Sequence, residues 1–226
     1  MFFLASAPFR DDEVADYERR RYRGLDQRLV HQREMRILRK IMGRLESPLP
    51  VPAPSYALDA PCGYGRFSRL LLERNFLLVS SDLSPAMVKR ARTKDTISIK
   101  PMGIVSNIVN GLPFRAGAFR LILSMRFFHH LHHSEERRRA LAEFAAATGD
   151  SVVLSYYQAN ALHLFQRRLR RLAGKSRTRI KMISRREFEE EAGAAGFEII
   201  RVFSLFRGLH SQHIALLRKR PIQRAG

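Results

Sequence analysis

The sequence predicts an α/β fold: a mainly parallel seven-stranded sheet with helices on both faces, carried by one domain spanning residues 1–226. Three observations lead there. Short apolar runs alternate with segments of helical period from residue 56 to residue 218. A turn bearing two glycines, LDAPCGYGR (58–66), joins the first such run to the first such segment. Helix-start signals recur at Ser84-Pro85 and at Ser184, with Glu187 three residues on.

Taken in order, residues 12–24 and 26–45 read as helices, with Val30, Met35, Leu38, Ile41 and Met42 at near-helical spacing among charges. Residues 1–46 are expected to form an N-terminal helical lid, with Tyr17, Tyr22 and Arg23 over the site. The prolines of SPLPVPAPS (47–55) remove backbone donors and end that helix. Residues 56–157 form the core: strands at Tyr56–Ala60, Phe76–Asp82, 97–105, 118–124 and 151–157, with helices at 65–74, 84–94 and 134–148. A basic insertion (158–183) precedes the last helix, 184–195, and strands at 197–204 and 212–218 close residues 184–218 as a hairpin. The alternation is Rossmann-like, and no internal repeat is present.

Composition narrows the functional classes. The single cysteine, Cys62, excludes an intrachain disulfide, so an intracellular, cytoplasmic protein is expected. The first residues lack a basic region before their short apolar run, and no charge-free run of about 18 apolar residues occurs, so neither secretion nor a membrane span is expected. Charge is the unusual property: 41 Lys+Arg against 21 Asp+Glu, a formal +20. Such a field attracts nucleic acid, anionic lipid or phosphorylated substrates without choosing among them. Residues 1–46 nearly balance, with eleven bases and eight acids, whereas 158–186 hold ten bases and no acid.

In α/β sheets ligands bind beyond the C-terminal strand ends, where the first strand turns into the first helix. Residues 58–66 occupy that turn. Gly63 and Gly65 permit a tight bend and a close backbone approach, while Asp82 ends the second strand 23 residues after Asp59, placed to accept from ribose hydroxyls. The site is nucleoside-shaped. Pro61 and Cys62 stand where a dinucleotide loop needs room for pyrophosphate, and no Gly-Lys-Ser/Thr is present to cradle phosphate.

The segments LDAPCGYGRFSRLL, SSDLSPAMVKRAR and NGLPFRAGAFRLILSMRFFHHL, in that order, resemble the successive motifs of class I S-adenosylmethionine-dependent methyltransferases, of the small-molecule type that includes ubiquinone and sterol methylating enzymes. The resemblance covers residues 56–157, and GFEIIRVFSL with HIALLRK is similar to that family's closing hairpin. It implies S-adenosylmethionine as cofactor. The loop from Asp59 through Ala60, Pro61, Gly63 and Gly65 would wrap the methionine part, and Asp82 would bind both ribose hydroxyls. Leu83 and Met87 would flank the adenine, Asn107 would meet its amine, and Ser124 closes the fourth strand among the donor residues. Pro61 departs from the family's first glycine, Arg120 from its Asp in Phe-Asp-Leu, and Asn107 lies one residue early.

The acceptor is expected beyond the fourth strand, at SMRFFHHLHH. A sulfonium donor already carries a leaving group, so transfer needs in-line alignment and any deprotonation of the acceptor. The resemblance implies His129 or His130 as donor contact or base; the competing reading is that these histidines only cap the following helix. No metal site is expected, because no carboxylate or thiol pattern accompanies them, and CxxC, HExxH and Gly-x-Ser-x-Gly are absent. Tyr156 and Tyr157 line the site or pack. The Asn/Asp-Pro-Pro-Tyr/Phe of nucleobase-amine enzymes is replaced by Ser124-Met125-Arg126-Phe127.

Within the insertion, Leu162, Phe165, Leu169 and Leu172 form one helical side, with Arg167, Arg168, Arg170 and Arg171 around it. A packed helix with solvated arginines, a surface for an anionic membrane's inner face or a phosphate-bearing acceptor, and an RNA surface all fit. The expected function is O-methylation of a small or lipid-linked anionic acceptor. The alternatives are an RNA methyltransferase and a noncatalytic S-adenosylmethionine-binding regulator.

Overall fold

The computed structural model describes residues 14, 16, 18, 24–45, 55–93, 99–159, 180–206 and 210–221. The predicted alternation of strand and helix is present. Helix α1 (Leu25–Leu45) leads to β1 (Tyr56–Asp59), α2 (Ser68–Leu72), β2 (Leu77–Asp82), α3 (Pro85–Arg92), β3 (Met102–Val105) and β4 (Phe119–Ser124). A 3-10 turn at Phe128–His130 precedes α4 (Ser134–Ala147), β5 (Thr148–Tyr157), α5 (Arg185–Ala194), β6 (Phe197–Ser204) and β7 (Gln212–Lys219).

Seven strands form one sheet in the order β3-β2-β1-β4-β5-β7-β6. Strands β1 to β5 pair in parallel, but β7 runs antiparallel to both β5 and β6. The sheet is therefore mixed, which corrects the expectation of a mainly parallel one. The physical reason is connection length: seven residues separate β6 from β7, and a parallel return needs a crossover of about a dozen or more. The chain turns back at once, and β7 fills the place between β5 and β6.

Period-two alternation divides the apolar residues between two cores. On one face Leu58, Val79, Ile122, Val152, Leu154, Ala215 and Leu217 meet Leu141 and Phe144 of α4 and Phe188 of α5. On the other, Ala57, Leu78, Leu121, Leu123, Val153, Ile214 and Leu216 meet Leu38, Ile41 and Met42 of α1 and Leu70 and Leu71 of α2. The helix predicted at 134–148 stops at Ala147, and the chain enters β5 at Thr148, three residues before the predicted strand. The helix predicted at 65–74 is confined to Ser68–Leu72. Its first residues are spent in the glycine turn.

The C-terminal half of α1 is thus a wall of the core. Of the expected lid, Val14 packs with Tyr64, Ala86 and Met87, and Glu18 pairs with Arg90 of α3 at 2.9 Å. Tyr17, Tyr22 and Arg23 lie outside the described residues, as does 160–179, which holds most of the expected basic insertion. Ser84 caps α3, accepting from Met87 N, and Ser184 caps α5, accepting from Glu187 N at 3.0 Å.

Candidate functional site

The C-terminal ends of β1, β2 and β4 meet at one edge, and the glycine turn is pinned there by two strands. Ala60 N donates to Leu123 O at 2.9 Å and Cys62 N donates to Ser81 O at 2.8 Å. The Ala60–Pro61 peptide is cis. Gly63 and Gly65, which look equivalent in sequence, have different environments. Both hold positive φ, +51° and +73°. A Cβ at Gly63 would meet nothing within 4 Å, so this backbone faces open space, whereas a Cβ at Gly65 would lie 2.9 Å from Ala91 Cα of α3. Gly65 therefore serves helix packing, and Gly63 is where a ligand can come close.

Asp82 receives the turn. Gly63 N donates to its Oδ2 at 2.9 Å and Ser84 N to its Oδ1 at 3.0 Å. Each oxygen keeps acceptor capacity for a further donor. Burial pushes the Asp82 carboxyl above its usual value, against the backbone N–H groups of Ser84, Gly63 and Leu83 that favour the charged form.

Asp59 is fully buried, and neither carboxylate oxygen has a hydrogen-bond partner among the described residues. Burial, then repulsion from Asp82, holds its carboxyl well above the usual range, with Arg66 acting in the opposite sense. In β4, Ser124 lies one residue beyond the Asp59–Leu123 pairing, and its buried hydroxyl is likewise without a partner among the described residues. Buried polar groups without a partner are unusual in a folded chain, where such groups are normally bonded.

Leu83 is exposed, while Met87 is buried beneath Val14. Asn107 spends its side-chain oxygen locally, accepting from Val109 N at 3.1 Å. Its neighbour Ser106 is closer to the strand ends: Ser106 N donates to Asp82 O at 3.0 Å, and its hydroxyl lies 2.6 Å from that of Ser81.

On the other side of β4 the histidines separate. His129 is buried, its ring 4.9 Å from that of Tyr157 and 4.0 Å from that of His130, and its carbonyl accepts from Lys181 N at 3.0 Å. His130 is exposed. Capping of α4 falls to His133, whose N–H donates to Glu136 at 3.1 Å. Tyr156 points to the opposite face from Tyr157 and stacks on Phe188 at 4.1 Å. Among the described residues no three His, Cys, Asp or Glu side chains converge to hold a metal, and no helix is long and apolar enough to cross a membrane.

Sequence reasoning missed the polar network beneath this edge. Glu34 of α1 is fully buried and pairs with Arg66, the residue after Gly65, and with both Nε (2.9 Å) and an Nη (3.1 Å) of Arg126, just past β4. Gln212 Nε2 donates to Glu34 Oε1 at 2.7 Å, and the Tyr157 hydroxyl donates to Gln212 Oε1 at 3.4 Å. Burial would raise the Glu34 carboxyl, but Arg66, Arg126 and Gln212 outweigh it and hold it below the usual range. Arg126 takes φ +58°, rare for a residue with a side chain. The available signal was an acid on the apolar stripe of α1, one turn from Val30 and from Leu38. Arg120, the departure within β4, donates to Leu45 O at 3.2 Å, so its charge sits on the last carbonyls of α1.

Residues 57–151 match the family described as "Methyltransferase domain". Over 126 residues the chain is 31% identical to an 18S rRNA (guanine-N(7))-methyltransferase of Mus musculus, which covers 51% of this chain and 44% of that protein. A Bos taurus protein of the same description is 33% identical over 88 residues, 38% of this chain and 30% of its own length. The chain thus spans less than half the length of these curated relatives. The fold is similar to that of the magnesium protoporphyrin IX methyltransferase of Synechocystis PCC 6803, solved with bound S-adenosylhomocysteine: TM-score 0.73, 18% identity, 92% of this chain and 95% of the other covered.

Proposed function

We propose that this chain, a class I S-adenosylmethionine-dependent methyltransferase by its matched domain and its fold, methylates an oxygen of a small or lipid-linked anionic acceptor. One observation carries the donor half: two carboxylates end adjacent strands, Asp59 buried without a hydrogen-bond partner among the described residues and Asp82 with one backbone N–H on each oxygen. An ammonium group suits the first and a ribose diol suits the second. The open space over Gly63 admits the chain between them. These residues fit the donor.

When bound, the donor supplies a methyl group already attached to a good leaving group. The protein's part is alignment and proton handling. Ala60, Pro61 and Gly63 shape the loop, Leu83 and Met87 flank the adenine, and Asn107 or its neighbour Ser106 meets the adenine edge. Ser124 offers a buried hydroxyl at the end of β4. His129, held beside Tyr157, or its exposed neighbour His130 takes the proton that an acceptor hydroxyl loses, as an imidazole can near neutral pH.

A second reading, an RNA acceptor, is favoured by one observation: identity above 30% to rRNA methyltransferases in a chain of net charge +20. One experiment separates the readings. The protein is incubated with S-adenosylmethionine labelled in its methyl group and with fractionated cell extract. Label on oxygen in small molecules or lipid, as a methyl ether or a methyl ester, supports the first reading, and label in RNA supports the second. Tight donor binding with no label in any fraction leaves a noncatalytic regulator and overturns both.

A further inference from the structure

Charge is divided unevenly between the helices on the two faces of the sheet. On one face α4 and α5 together carry five bases and seven acids, and three exposed arginines are matched one turn away: Arg139 with Glu135 at 2.6 Å, Arg185 with Glu189 and Arg186 with Glu190 at 2.7 Å. On the other face α1 carries six bases and two acids. One of those acids, Glu34, is buried among Arg66, Arg126 and Gln212, and the other, Asp26, stands in the first turn. Arg36, Arg39, Lys40 and Arg44 are exposed, and none has an ion pair or a side-chain hydrogen bond among the described residues. At about 100° per residue these four share an arc of about 140°, and Leu29, 58% exposed, falls within it.

The arc runs away from the site. Two residues after Leu29, His31 Nδ1 lies 2.9 Å from an Nη of Arg66 in the glycine turn, and Glu34 reaches Arg126 just past β4. The cations continue from there to Leu45, whose carbonyl accepts from Arg120 near the start of β4. Like charges three and four residues apart, as at 36–39, 36–40 and 40–44, repel and weaken a helix. An anionic surface against them reverses that cost. Two features favour lipid over nucleic acid as that surface. No Phe, Tyr or Trp occurs on α1 for bases to stack on, and the arc sets an exposed leucine among cations, as in helices that lie in the headgroup layer.

We propose that the outer face of α1 docks this protein on an anionic lipid bilayer, with Arg36, Arg39, Lys40 and Arg44 at the lipid phosphates and Leu29 entering the headgroup layer beside the site. Its bearing on catalysis rests on the first reading above: a lipid-linked acceptor then reaches the donor edge without leaving the bilayer.

The test measures co-sedimentation of the full chain with vesicles of phosphatidylcholine alone and of equal parts phosphatidylcholine and phosphatidylglycerol, beside binding of a single-stranded RNA of mixed sequence. Two variants each lose four cations: Arg36, Arg39, Lys40 and Arg44 to Gln on α1, and Arg138, Arg139, Arg185 and Arg186 to Gln on the opposite face. Each Lys or Arg near an anionic surface contributes about 5-fold at low salt, so the α1 variant should lose on the order of 500-fold in partitioning to the anionic vesicles. The opposite-face variant should lose less than about 5-fold, its charges lying beyond the screening length of about 10 Å. The chain has no tryptophan, so Leu29→Trp supplies a single fluorophore, whose emission should move to shorter wavelength with anionic vesicles and stay in place with phosphatidylcholine alone. Equal losses in the two four-fold variants, an unmoved emission, or an α1 variant that loses RNA binding while keeping vesicle binding overturns the inference. S-adenosylhomocysteine should bind all these variants as it binds the wild type. If it fails to bind the wild-type chain, the proposed function falls whatever the vesicles show; if it binds and the anionic vesicles do not, this inference falls alone.

Discussion

Removing Glu34 tests the network that ties α1 to both halves of the site. Glu34→Ala leaves the guanidinium groups of Arg66 and Arg126, whose side chains are 9% and 11% exposed, without their shared counter-ion, and it takes the acceptor from Gln212 Nε2. Breaking a buried pair by deleting one member costs about 3–5 kcal/mol, because the remaining charge stays desolvated. For a chain of this size each kcal/mol lowers Tm by about 2–4 °C, so the midpoint should fall by about 6–20 °C. Urea unfolding at neutral pH measures the free energy directly, and an unchanged slope checks that both variants lose the same surface. The loss should be pH-dependent. The Glu34 carboxyl is held below its usual value of 4.5, so its contribution is fully present above that value and disappears as pH falls through the folded-state value. The gap between wild type and variant should therefore close in acid. Replacing all three residues by methionine should recover most of the stability, since apolar side chains of similar volume carry no desolvation penalty. A loss under about 0.5 kcal/mol, the level of an ordinary surface substitution, would falsify the claim that this network bears on the fold.

Three further outcomes concern the donor edge. Asp82→Ala should weaken S-adenosylhomocysteine binding by about 2–4 kcal/mol in calorimetry, from two charge-assisted bonds of about 1.5–3 kcal/mol each that do not add fully; unchanged affinity in the folded variant removes the ribose assignment. Gly63→Ala should cost about 1–2 kcal/mol of stability, the strain of a side chain at φ +51°, while donor affinity is lost more steeply; Gly65→Ala should lower stability and affinity together, because its Cβ meets the α3 backbone at 2.9 Å. Equal behaviour of the two variants contradicts the division of roles. Asp59→Asn should stabilise the donor-free chain near neutral pH. The Asp59 carboxyl is raised in the folded state, so the native chain holds its proton longer and wild-type stability declines as pH rises from the unfolded-state value toward the folded one. Thermal midpoints across pH should show that decline in the wild type and not in the variant.

What could be read along the chain was whatever depends on near neighbours. The strand, turn and helix around 58–66, the acid closing β2, the Ser84 and Ser184 caps and the seven strand segments all lie within a few residues of their own signals. Apolar period two or three to four reports which face is buried, and glycine and serine report where the backbone bends or stops. Asp59 and Asp82 were legible for that reason. The rest was decided by contacts between segments far apart in sequence. Gly63 and Gly65 differ only because Ala91 of α3 lies against one of them. The partners of Glu34 are 32, 92 and 178 residues away, so an acid on an apolar stripe could not name them. Placing β7 between β5 and β6, which makes the sheet mixed, depended on a connection too short for a crossover. His129, Tyr157 and His210 come into contact only because the turn after β4, the end of β5 and the connection from β6 to β7 reach one edge. Local propensity acts through bonds and torsions of adjacent residues, whereas counter-ions, close approaches and ring stacks acquire their energy only when the packed sheet brings distant residues within a few ångströms.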